Sequence, residues 1–181
     1  VATIGVNFNV DIDLNNVPKW NQSYPSALRN MIQARNLLSN TTDRVNLKSM
    51  IRIWKVQTFL GLVDTYADVP YFDAGKAVSD GIFFPAYDDD AVIYEDLYKE
   101  LKEAVAALNP AGDYVAADLF YGANSNASTK TTTAAEQVAK WKKLGNSLLL
   151  RLGMRYSKLN QTKAQTIVSE AVAGGVMTSN A

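Results

Sequence analysis

Between Asn46 and Tyr66 the chain reads NLKSMIRIWKVQTFLGLVDTY, and apolar residues recur in it at three- and four-residue steps on two faces. Leu47, Met50, Ile51, Trp54 and Leu62, with Thr58, make the first face; Ile53, Val56, Phe59, Leu60 and Val63 make the second. An apolar surface that wide needs cover on most sides. The segment is therefore predicted to be a helix surrounded by neighbours, which demands other helices or sheets to surround it.

Other stretches supply helices. Tyr24–Leu38 places Leu28, Met31, Ile32, Arg35 and Leu38 on one side, with Ser23 as N-cap and Pro25 near the first position. After Asp88 or Asp89 as cap, Val92, Ile93, Leu97, Leu101, Ala104, Val105 and Leu108 form a stripe that Asn109-Pro110 ends. Glu95 and Asp96 suit the positive end of that helix's dipole. Ala134–Leu159 aligns Trp141, Leu144, Leu148, Leu152, Tyr156 and Leu159, and Gly145 and Gly153 mark a close helix–helix approach. Asn160-Gln161 then leads into Thr162–Ala173, stopped by Gly174-Gly175. A link that short makes the last two helices an antiparallel hairpin.

The chain is predicted to be all-α: stacked antiparallel helical hairpins over 23–181, with an extended arm over 1–22. Val6, Phe8, Val10, Ile12 and Leu14 alternate along the arm. Two long loops, 67–91 and 111–133, interrupt the hairpins; the second is polar and reads as flexible. The 181 residues form one piece, and 48% hydrophobic content is enough for a core.

The composition narrows the chemistry. Eighteen Lys and Arg balance eighteen Asp and Glu, which argues against nucleic acid as the main partner. There is no Cys and no His, so disulfides, thiolate nucleophiles, Cys or His zinc sites and Ser–His–Asp triads are all excluded. No apolar run is long enough to span a bilayer as a helix. No signal peptide is visible, and the start at Val1 reads as a mature or partial product.

The segment YADVPYFDAG, 66–75, holds two tyrosines and acids that suggest a site. Asp64 and Asp68 are spaced as a carboxylate pair would be on a helix. Yet Pro70 disfavours helix just before it, so the helix is expected to end near Tyr66–Asp68, with Asp68 bonding turn amides. Arg151 and Arg155 either reach a carboxylate on a neighbouring helix or bind an anion. Asn146 bonds a loop backbone or reads a sugar hydroxyl. Asp88–Asp90 caps a helix or holds calcium. Of the loop aromatics, Trp20, Tyr71, Phe72 and Tyr121 are the candidate ligand platforms, with Phe83, Phe84 and Tyr114 also expected to be exposed. No catalytic residue, metal site or cofactor is assigned.

Three segments together resemble the SusD/RagB family. FLGLVDTYADVPYFDA matches its D-x-Y-G/A-D-V-P-Y-x-x-A segment, PAYDDDAVIYEDLYKEL its P-x-Y-D…I-Y…L…E-L, and WKKLGNSLLLRLGMRYSKL its W-x-K-x-x-N-S-L-x-L-R-L-x-M-R helix. AVAGGVMTSNA is similar to the end of the family's next helix. The matches come in family order over roughly 45–181. Asp64, Tyr66, Asp68, Pro70, Trp141, Asn146 and Arg151 carry the signature and are expected to be structural. The resemblance implies tetratricopeptide-like helix pairs within a longer chain whose remainder is missing here. It implies a surface-exposed outer-membrane lipoprotein of Bacteroidetes, held by a lipid anchor absent from this chain. Such a protein is not an enzyme; it binds an oligosaccharide or other nutrient and works with a SusC-like TonB-dependent transporter. A helical-repeat scaffold for protein partners fits the helices as well, and a carboxylate hydrolase fits least.

Overall fold

A computed structural model describes residues 18–123 and 130–179 of the chain. After a helical stretch over 18–22, the helices named among the described residues are, in order, α1 (Arg29–Leu37), α2 (Val45–Tyr66), α3 (Ala77–Asp80), α4 (Asp90–Ala107), α5 (Ala134–Arg155) and α6 (Gln161–Ala173). Among the described residues there is no strand, and Val69 and Asp88 form an isolated antiparallel bridge. The all-α expectation therefore holds.

Cross-helix pairs give the directions. Arg52 meets Glu100 and Asp64 meets Tyr94, so α2 and α4 run antiparallel. Gly145 faces Val105, and Tyr156 bonds Glu95, so α4 and α5 are antiparallel too. Gly153 abuts Ile167, which closes the α5–α6 hairpin. The two glycines thus admit two different helices, α4 and α6, where close packing along one neighbour was expected.

α2 lies at the centre. Ile53, Val56, Phe59, Leu60, Leu62 and Val63 are all buried, as its two apolar faces require. Ile93, Leu97 and Leu101 of α4, Leu152 of α5 and Ile167 of α6 meet it in one core cluster. Each such side chain contributes roughly 1.5–3 kcal/mol by leaving water.

The helix ends show why the chain breaks where it does. Asp89 caps α4 by accepting from the N–H groups of Ala91 and Val92. Thr133 caps α5 and Asn160 caps α6. α2 has no local side-chain cap; Asp113, far along the chain, accepts from the N–H groups of Asn46 and Leu47 instead. Buried Asn46 completes that joint through Asn109 and the Asp113 carbonyl. α2 stops at Ala67, whose φ of 60° is left-handed.

Three expectations need correction. Residues 18–22 are helical, so the arm does not reach residue 22; residues 1–17 lie outside the described residues. Pro25 is thus inside a helix, and Ser23–Leu28 widens to a π-helical turn around it. The loop over 111–123 is fastened down: Gln137 exchanges bonds with the Val115 backbone, and buried Asp118 accepts from Trp141 Nε1 at 2.6 Å. Residues 124–129 lie outside the described residues.

Candidate functional site

A cleft of about 480 Å³ lies between α1, α2, α4 and the segment that follows α2. Its floor comes from α2 and α4. Lys55 projects from α2 where the helix is otherwise apolar and is almost fully buried. Its ammonium lies 3.5 Å from Glu100 and 5.5 Å from the centre of the Tyr71 ring. Arg52 makes a two-pronged contact with Glu100, at 3.0 and 2.8 Å, and reaches Glu103 at 2.7 Å. The Tyr71 hydroxyl donates to Asp96 Oδ2 at 2.6 Å.

These contacts set the charge states. Burial pushes the Glu100 carboxyl up, but the Arg52 hydrogen bond and the charges of Lys55, Arg52 and Arg35 override it and hold it at about 2. Burial lowers the Lys55 ammonium below the ordinary lysine value, against the pull of Glu100. The Tyr71 phenol is raised, by burial and by its bond to Asp96. At neutral pH the floor holds a buried ammonium, a carboxylate and a phenol that stays protonated.

The rim is built by the segment after α2. Asp88 Oδ2 accepts from the backbone N–H of Tyr71 at 2.8 Å and of Phe72 at 2.9 Å. Asp68 Oδ1 accepts from Asp90 N–H at 3.0 Å, at the start of α4. The two acids therefore tie DVPYF to the beginning of α4 in both directions. Asp68 was expected to serve its own turn; it serves the next helix. Gly75 lies against α1 with φ 75°, and a Cβ there would stand 2.6 Å from Ile32 Cδ1. Phe72 sits edge-on to buried Tyr71 at 4.9 Å and is 44% exposed. Arg35, Lys76, Ser79 and Asp80 complete the opening.

The candidate platforms separate. Tyr71 and Phe72 line the cleft, but Tyr71 is buried and only Phe72 offers a face. Trp20 is on a helical turn, half-buried against Tyr24, Tyr66 and Tyr87, away from the cleft. Tyr121 packs edge-on to buried Trp141 with Lys140 above its ring. Phe83 and Phe84 are strongly exposed, and Tyr114 bonds the Thr131 carbonyl.

The motif residues act as fasteners. Asp64 Oδ2 takes Arg151 at 2.7 Å and Arg155 at 2.5 Å, while Oδ1 takes the Tyr94 hydroxyl at 2.6 Å. One carboxylate thus joins α2, α4 and α5. Burial opposes its charge, but these three donors keep it below the usual carboxylate range. Asn146 donates to the carbonyls of Gly174 and Gly175 at 2.7 and 3.0 Å. Pro70 is buried, and its carbonyl accepts from Tyr24. Asp89 is used as a cap and Asp88 as a clamp, and no metal-holding acidic group occurs among the described residues.

Lys55 and Glu100 are not marked by the sequence reading, which assigns Arg35 to a helix face and Asp96 to a helix dipole and neither to a site. Two signals were there to be read. Lys55 interrupts an apolar helix face, and Arg35 falls in register with the apolar stripe of α1.

The family described as starch-binding and associating with the outer membrane (SusD-like) matches residues 4–181. The fold is similar to that of a chitin-binding protein at 32% identity and TM-score 0.77, over 93% of this chain and 33% of that one. A SusD-like protein from Bacteroidetes gives 30% identity and TM-score 0.75, over 92% and 28%. A chitin-binding SusD homologue from Flavobacterium johnsoniae gives 26% and 0.66, over 89% and 31%. The chain spans about a third of the length of these solved structures. No curated protein matches it.

Proposed function

The chain belongs to the SusD-like family, and on that premise we propose that it is the helical part of a non-catalytic, glycan-binding nutrient receptor of the outer membrane. The family match across residues 4–181 is the observation that carries this reading. Likeness to two chitin-binding proteins favours a glycan over other nutrients. The receptor is surface-exposed and held by a lipid anchor, and it passes its ligand to a SusC-like TonB-dependent transporter. The helical body is the rigid support for that transfer: its helices are locked by long-range ties such as Asp64 to Arg151 and Arg155.

Calorimetric titration of the full-length protein with chitin and starch oligosaccharides tests the proposal. Saturable binding without hydrolysis is expected, together with a large outer-membrane β-barrel recovered on affinity purification from native membranes. Hydrolysis of the sugars would make it an enzyme. Protein partners with no sugar binding would make it a scaffold.

A further inference from the structure

The cleft beside Phe72 has a composition that selects its occupant. Three cations and three anions line it: Arg35, Lys55 and Lys76 against Asp80, Asp96 and Glu100. A bound anion would meet Asp96 and Glu100 at the floor, and a bound cation would meet Lys55 and Arg35. A neutral polyol meets neither penalty, because each hydroxyl both donates and accepts. Charged donors and acceptors also make the stronger hydrogen bonds to such hydroxyls.

Hydrogen-bonding capacity is left over where a ligand would use it. The Arg35 guanidinium makes no hydrogen bond or ion pair among the described residues, yet its charge acts on Lys55, Tyr71 and Glu100. Tyr71 occupies Oδ2 of Asp96, and Oδ1 has no partner among the described residues. Beside these groups Phe72 is 44% exposed, on a backbone that Asp88 holds at the amides of Tyr71 and Phe72. A fixed half-exposed ring next to convergent polar groups suits a ligand with one apolar and one hydroxylated aspect. The floor is pre-formed, so little ordering is needed on binding.

We propose that this cleft is a subsite for a neutral pyranose, whose C–H face lies on Phe72 and whose hydroxyls bond Arg35 and Asp96. The inference rests on the glycan-binding reading and adds the place and charge class of the sugar. The test uses the full-length protein and calorimetry with chitopentaose, maltopentaose and a galacturonic acid pentamer. Phe72→Ala is expected to weaken the neutral ligand at least tenfold and Arg35→Ala severalfold. Phe84→Ala, at an exposed ring outside the cleft, should leave affinity unchanged. Melting curves check that each variant is folded, and Arg35 is a surface residue whose loss leaves the core intact. Neutral sugar bound equally by wild type, Phe72→Ala and Arg35→Ala would overturn the subsite while sparing the glycan reading. Tighter binding of the galacturonic acid pentamer would overturn the charge class. No binding of any glycan by the wild type would overturn both readings.

Discussion

Glu100 shows how one residue joins fold and site. It anchors Arg52, neutralises buried Lys55 and faces the cleft. Its carboxyl is held at about 2, below the ordinary glutamate value. The stability it contributes is therefore fully present above about pH 4.3 and is lost as pH falls toward 2. Urea unfolding between pH 7 and pH 2.5 should show that loss, and Glu100→Gln should lower stability at pH 7 and flatten the acid limb. An acid limb of equal slope in the variant would assign the effect to other carboxylates, Asp64 first. None of this could be read from spacing. Glu100 stands among LYKELKE, which looks like an ordinary solvated helix face, and only the approach of Arg52 and Lys55 from α2 buries it.

Helices were far more legible than the joints between them. Apolar period and stop residues locate α2, α4, α5 and α6 closely, because each depends on residues three or four apart. What escaped is the work done by residues distant in sequence. Asp68 caps α4, Asp113 caps α2, and Asp118 pins a polar loop under Trp141. The π-helical turn at Pro25 escaped for another reason: a proline reads as a helix start whether or not the chain is already helical. Packing between elements can be tested at the glycines. A Cβ on Gly145 would stand 2.3 Å from Val105 Cγ2, so Gly145→Ala must shift the Val105 side chain or the α4–α5 spacing. It should cost about 1–3 kcal/mol, or a fall of several degrees in melting temperature. Gly61 is the contrast, since a Cβ there meets only the flexible Lys19 side chain, at 3.3 Å. Gly61→Ala should leave stability unchanged or raise it by up to about 1 kcal/mol. Equal losses for both would mean that the α4–α5 contact is looser than its geometry.

At the scale of the whole molecule, charge is balanced overall, with 18 residues of each sign, and balanced again within the cleft. A neutral sugar binding there should therefore respond little to salt, with affinity changing less than about twofold between 50 and 500 mM NaCl. A tenfold fall over that range would indicate an anionic ligand held by Arg35 and Lys76. The long-range cap of α2 has a consequence of another kind, in time. The amides of Asn46 and Leu47 wait for Asp113, 67 and 66 residues later. As the nascent chain leaves the ribosome, the central helix stays open at its leading end until the second hairpin strut and its following loop have emerged. The α2–α4 pair is therefore closed by the loop that follows it, before α5 and α6 are made.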